Sequence, residues 1–306
     1  MRYALAVAMM ATLPLIGFAA PVPPPATPGA FIDVDNNGVW TSGDLPLANF
    51  TGTGSVGFNA FATQPGWKPV TRPVGLVVLT PLTLNADFVQ QFIVSGDIRI
   101  MADVKVSQAD TFVSFSTIGG NITIGPKVSV SGNGDMDFQT FNGGDISVGD
   151  GASFTTRGEF NTVSLDADGV MTLGSKLAFQ LAGTGYNAIN IHAHDAITIG
   201  PGMTTRIPNH GYFDLLCNCD VTLPKANFRS GYIRIEGYSS ARHPEAKHVR
   251  VTDSTLTQTY KNGDFRIIAG ADVRTSRYAP DGLILEKTKI STKSLQPLYL
   301  PDPIVR

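Results

Sequence analysis

The chain has 306 residues, 42% of them hydrophobic and 16% charged, with a net charge of −2. That much apolar material excludes wholesale disorder. The near-neutral charge leaves no basic excess to hold a polyanion, so no nucleic-acid partner is expected.

In chain order, Met1-Arg2-Tyr3 gives a short positive start, and Ala4 to Phe18 is almost wholly apolar. This is the layout of a secretory signal peptide, with cleavage expected after Ala19 because Gly17 and Ala19 are small. The apolar run is short for a membrane anchor, so no span is expected after its removal. The expected location is outside the cell or on its surface, with the periplasm as a further option. Residues 20–30 hold a Pro-rich extended linker, PVPPPATPG. A polar motif follows at 31–44, then short strands and turns over 45–92 that read as a β cap on the open end of what comes next.

The motif runs Asp33-Val34-Asp35-Asn36-Asn37-Gly38-Val39-Trp40-Thr41-Ser42-Gly43-Asp44. Its spacing is that of a twelve-residue calcium loop. Asp33, Asp35 and Asn37 offer oxygens at positions 1, 3 and 5, and Gly38 stands where the loop must turn sharply. Val39 offers its carbonyl at position 7, Thr41 stands at 9 and Asp44 closes the loop at 12. Calcium is a hard cation wanting six to eight oxygens, and this spacing wraps such donors around one point. The expected cofactor is therefore Ca2+, in a stabilising role. The twelve residues resemble the isolated calcium loops of dockerin-type repeats, although position 12 is Asp rather than Glu and no helix flanks them.

From 93 to 290 the chain repeats itself. Apolar–polar–apolar triplets begin at Ile98, Ile122, Ile146, Met171, Ile197 and Val221, in steps of 24, 24, 25, 26 and 24 residues. Within each period a second alternating segment begins at Val104, Val128, Ala152, Leu177 and Met203, and a third includes FVSF, MDFQTF, TVSL, AINI and YFDLL. Alternation at period two means strands with one buried face. Three short strands per period describe one triangular coil, and coils stack because none can bury its inward side chains alone. The expected fold is all-β: a right-handed parallel β-helix. The Gly at 125, 149, 174 and 200 is expected where the chain turns after each triplet. Beyond Val221 the spacing loosens into one or two coils with longer loops, and 291–306 is a tail lying on the surface or over the end.

The phrases Gly120-Asn121-Ile122-Thr123-Ile124 and Gly144-Asp145-Ile146-Ser147-Val148 resemble the β-helical stalks of filamentous haemagglutinin-type adhesins. The resemblance covers residues 96 to about 224 and implies a bacterial surface module. Its expected partners are surface glycans or host and matrix molecules.

Other candidates read more plainly. Cys217 and Cys219, two apart on a strand, are expected as reduced thiols or with an outside partner. His192 and His194, with Asp195, could form a metal or acid–base cluster, but solvated surface histidines are the expectation. Arg242-His243-Pro244-Glu245 and Lys247-His248 form the largest late insertion, a place where binding can live. The acidic residues Asp137, Asp145, Asp150, Asp166 and Asp168 read as scattered, with Asp166 and Asp168 in a turn-like DADG. No catalytic residues are assigned. An adhesive or structural module is expected rather than an enzyme, the alternative being a carbohydrate-active enzyme of the same architecture.

Overall fold

The computed structural model describes residues 28–47, 55–58, 72–84, 89–159, 161–208, 210–239, 248–272, 282–293 and 304–305. The leader over 1–19, most of the linker, the Arg242–Lys247 insertion and most of the tail lie outside the described residues. No described helix is long and apolar enough to cross a membrane.

The chain is a parallel β-helix, as the period implies. Nine strands form the second sheet, from Leu82–Leu84 to Lys289–Thr292, and nine form the third, from Ser55–Phe58 to Phe265–Asp272. The first sheet has eight strands and is built on the triplets. Ile98, Ile122, Ile146, Met171 and Ile197 are in register across it, as are Ile100, Ile124, Val148, Leu173 and Ile199. All ten are buried. The parallel pairing already holds at Gly75–Val78, which pairs with Ile98–Ile100. Ala30–Asp33 then pairs antiparallel on Gly75–Val78, and Leu45–Pro46 pairs antiparallel on Ala30–Asp33 and ends that edge of the first sheet.

The ladder breaks after Ala196–Ile199. Val221–Pro224 lies beside it but does not pair with it, and starts a separate four-stranded sheet. The core continues across the break, with Val221 and Leu223 buried. The two cysteines sit at this break and form a disulfide, which corrects the expectation of reduced thiols. That expectation assumed an extended strand. Instead the chain bends at Asn218, which brings the Cα atoms to 5.0 Å, inside the range a disulfide spans.

Phenylalanines fill much of the interior. Phe92, Phe115 and Phe138 stack with ring centroids 5.4 Å apart at each step, and Phe154 stacks on Phe179 at 4.9 Å. Each ring is essentially inaccessible to water. Truncating one such ring to Ala costs about 3–5 kcal/mol.

The second sheet departs from the expected register in its early part. Val104 pairs with Val130 rather than standing over Val128, and Val130 leads on to Phe154, Phe179 and Thr205. The corner after Ile100 is two residues shorter than the corner after Ile124. A slip of two keeps the same side chains inward, so the apolar pattern could not reveal it.

The glycines after the triplets also act differently from expectation. Gly149, Gly174 and Gly200 are not in a left-handed conformation; a Cβ there would fall 2.5–2.6 Å from a backbone nitrogen of the preceding coil. The left-handed residue comes two positions after the glycine, at Lys127, Gly151, Lys176 and Gly202. Close approach of coils, rather than the turn, selects the first set of glycines.

The Asx residue before each early triplet has a clear role. Asp97 N–H donates to Asn36 Oδ1 (2.8 Å), Asn121 N–H to Asp97 Oδ1 (3.0 Å), Asp145 N–H to Asn121 Oδ1 (2.9 Å) and Val170 N–H to Asp145 Oδ1 (2.7 Å). This side-chain ladder carries each coil's corner to the next.

Candidate functional site

The predicted calcium loop connects Ala30–Asp33 to Leu45–Pro46, two strands of an antiparallel pair at the N-terminal edge. The structure brings Asp33, Asp35 and Asp44 together: one carboxylate oxygen of each lies within 4.8 Å of the others. Asp33 and Asp44 are buried and Asp35 is exposed. Asp33 accepts the N–H groups of Asn37 (3.2 Å) and Gly38 (2.6 Å). Asp44 accepts those of Val34 (2.8 Å) and Thr41 (2.6 Å), and the Thr41 hydroxyl (3.0 Å). Asn37 Nδ2 donates to Asp35 (2.8 Å), and its Oδ1 accepts the Val39 N–H (2.6 Å). Asn37 and Thr41 therefore brace the three carboxylates through hydrogen bonds, and Val39 holds the Asn37 side chain.

Burial pushes the Asp33 carboxyl above its ordinary value, with Asp35 and Asp44 pushing the same way and the N–H groups of Gly38 and Asn37 opposing. Three carboxylates converge at this point and the donor set is all oxygen, which fits a hard cation. Arg99 crosses Gly38, where a Cβ would fall 1.5 Å from Nη1, but its ion pair is with Asp97 (3.1 Å).

A second constellation lies on the outer face of the third sheet, where the sequence suggested scattered acids. Asp137 points outward from Met136–Phe141, in register with Ser114 and Ser164. Asp166 is in the strand Asn161–Ala167, not in a turn, and is in register with Gln139 and His192. The Asp166 carboxylate accepts Gln139 Nε2 at 3.4 Å. His194 stands between two carboxylates of the preceding coil, with Nε2 3.8 Å from Asp166 and Nδ1 3.4 Å from Asp168. His194 is solvent-exposed, as expected, yet it stands against carboxylates of the preceding coil; His192 is the one that departs from a solvated surface histidine, being largely buried. His192 Nε2 is buried without a hydrogen-bond partner, and burial lowers its pKa against the pull of Asp166. Burial raises the pKa of Asp137, with Ser164 and Ser114 opposing.

Further along the same face runs an aromatic ladder that the sequence reading missed. Tyr186 is half-exposed and tilts on Tyr212 at 5.3 Å; Tyr212 stacks on Tyr232 at 4.1 Å. Tyr260 follows at 5.8 Å, with His210 against it at 4.3 Å. Burial, with Tyr212 alongside, pushes the Tyr232 phenol up to about 12. Beside the ladder is an open depression of about 350 Å³ lined by Tyr212, Asp214, Tyr232, Arg234, Asp264 and Arg266. Arg234 holds the buried Glu236 through Nε (2.6 Å) and Nη2 (2.9 Å), and bonds Tyr238 Oη (2.8 Å). The signal was present as Tyr at equivalent positions of successive coils, 212 and 232, but those coils differ in length.

The outer face of the first sheet is plainer: Thr123, Ser147, Thr172 and Thr198 follow Arg99 in register. Chemistry is concentrated at the N-terminal loop and the third face. Comparison with known protein families, curated proteins and solved structures finds no match to this chain.

Proposed function

We propose that this chain is a secreted or cell-surface adhesive β-helix that holds polysaccharide along the outer face of its third sheet, with a calcium ion stabilising its N-terminal loop. The tyrosine ladder beside Asp214, Arg234, Asp264 and Arg266 carries this reading. Tyr presents a flat apolar face with a polar tip, which suits sugar rings that have both apolar faces and hydroxyl edges. Carboxylates and guanidiniums around it supply hydrogen bonds to hydroxyls. Strands of the stacked coils hold Tyr212, Asp214, Tyr232, Arg234 and Arg266, so little conformational entropy is lost on binding. Surface glycans or glycosylated matrix molecules are the partners this chemistry would recognise.

The test is retention on a panel of immobilised polysaccharides. The full chain should bind at least one of them, and Tyr186→Ala should weaken that binding about tenfold, about 1.4 kcal/mol, with an unchanged circular dichroism spectrum. A wild-type chain that binds no polysaccharide contradicts the reading.

One observation favours a second reading, a carbohydrate-active enzyme. Asp137 is held by burial in surroundings that favour its protonated form, and Asp166 stands diagonally from it one coil on. Two carboxylates in unlike surroundings suit acid and base roles in cleaving a glycosidic bond. Here release of reducing or unsaturated ends by the wild type should be lost in both Asp137→Asn and Asp166→Asn. No release from any bound polysaccharide would leave the adhesive reading alone.

A further inference from the structure

The described arginines divide into those that pair with a carboxylate and those that do not. Arg99, Arg234, Arg250 and Arg266 each pair with a carboxylate: Asp97, Glu236, Glu286 and Asp264. Arg206 and Arg229 have no such partner among the described residues. They stand in direct register on neighbouring strands of the second sheet, Thr204–Arg206 and Asn227–Ser230, and both are exposed. Like charges opposite one another across a strand pair repel, so this arrangement costs stability in the free chain. Gln180 precedes the pair in the same outward row and Thr257 follows it. Together with Thr204 and Asn227 these residues line an open groove of about 580 Å³. At the corner that feeds this face, Lys176 and Lys225 are exposed two positions before their strands.

We infer that the Arg206–Arg229 pair is an oxyanion-binding site for an acidic polysaccharide. Two adjacent guanidiniums present planar forks that match the oxygens of a carboxylate or a sulfate, and the bound anion turns their mutual repulsion into shared attraction. Gln180, Asn227, Thr204 and Thr257 are neutral donors and acceptors suited to the hydroxyls around such a group. Two guanidiniums neutralise too few phosphates to hold a nucleic acid. The site uses the second sheet and a charged ligand, so it goes beyond the tyrosine face proposed above.

The experiment measures binding of the full chain to polygalacturonate, dextran sulfate, uncharged dextran and duplex DNA. Wild-type protein should hold at least one of the two anionic polysaccharides, and which one it prefers identifies the anion. The Arg206→Gln/Arg229→Gln double variant should weaken that binding at least tenfold without lowering its melting temperature. Arg157→Gln, an exposed arginine elsewhere on the same sheet, should leave binding within twofold. The proposal is overturned if wild type binds neither anionic polysaccharide, or if the double variant binds as wild type does. It is equally overturned if DNA competes as well as the polysaccharides and Arg157→Gln weakens binding as much as the double variant.

Discussion

The side chain of Asn36 accepts the backbone N–H of Asp97 at 2.8 Å, a bond between the calcium-type loop and the coil that follows it 61 residues later. It is the first rung of the ladder that continues through Asn121 and Asp145, so the loop occupies the place of a preceding coil. Asn36 reaches this position with a φ of 55°, a left-handed conformation that Asn tolerates. Asn36→Ala is expected to lose the rung and strain the backbone, lowering unfolding free energy by about 1–3 kcal/mol in a urea titration. Asn36→Asp keeps an acceptor and should recover most of it. A neutral Asn36→Ala would show that the loop is not locked onto the coils.

Asp35 separates calcium binding from loop folding. It is exposed and bonds only within the loop, to Asn37, whereas Asp44 accepts Val34 and Thr41 N–H groups that tie the loop ends together. Calcium should raise the wild-type melting temperature, by an amount equivalent to about 2.7 kcal/mol at a hundredfold excess over the dissociation constant. Asp35→Ala should abolish that rise yet leave stability in chelator within about 0.5 kcal/mol. Asp44→Ala should destabilise the chain in chelator as well. A wild-type melting temperature indifferent to calcium rules out the metal role.

The disulfide encloses a single residue, Asn218, so it removes little freedom from the unfolded chain. Cys217→Ser/Cys219→Ser is expected to cost about 1–2 kcal/mol, small beside a disulfide that closes a long loop. Alkylation of the unfolded, unreduced protein should label no thiol. Two labelled thiols would return these cysteines to the reduced form that the sequence suggested.

Asp137 gives a pH dependence with a definite sign. Burial raises its folded pKa above the ordinary value of 3.8, so the fold favours the protonated carboxyl. Its stabilising effect is full below that ordinary value and is lost as pH rises through the raised one. Asp137→Asn cannot ionise. In paired urea titrations the variant should gain on the wild type as pH climbs from acid to neutral. Asp214, also raised by burial, acts in the same direction. A constant difference across that range contradicts the assignment.

The sequence made the first sheet legible because its inward residues recur at nearly one period and its Gly-Asx phrases mark the corners. Ile122, Ile146 and Ile197 stand in the column that the period implies. The acidic cluster was hidden because Asp137 and Asp166 lie 29 residues apart, a distance that matches no period. They meet only as diagonal neighbours, after the third strand of one coil has shifted relative to the next. DADG reads as a turn, yet its Asp166 completes a strand because Gln139 and His192 pair on either side of it. The disulfide was equally invisible: two cysteines two apart are too far to bridge on a straight strand, and only the bend at Asn218 brings them close.

Cross-linking of engineered cysteines between coils measures the stacking on which every face described above depends. Thr123 and Ser147 are in register on adjacent outward positions, while Thr172 lies one coil further on. Mild oxidation of Thr123→Cys/Ser147→Cys should give a cross-link spanning 24 residues, mapped by mass spectrometry alongside the native Cys217–Cys219 bond. Thr123→Cys/Thr172→Cys should give none. A cross-link in the second variant and not in the first would place these triplets in a different order and dissolve both proposed faces.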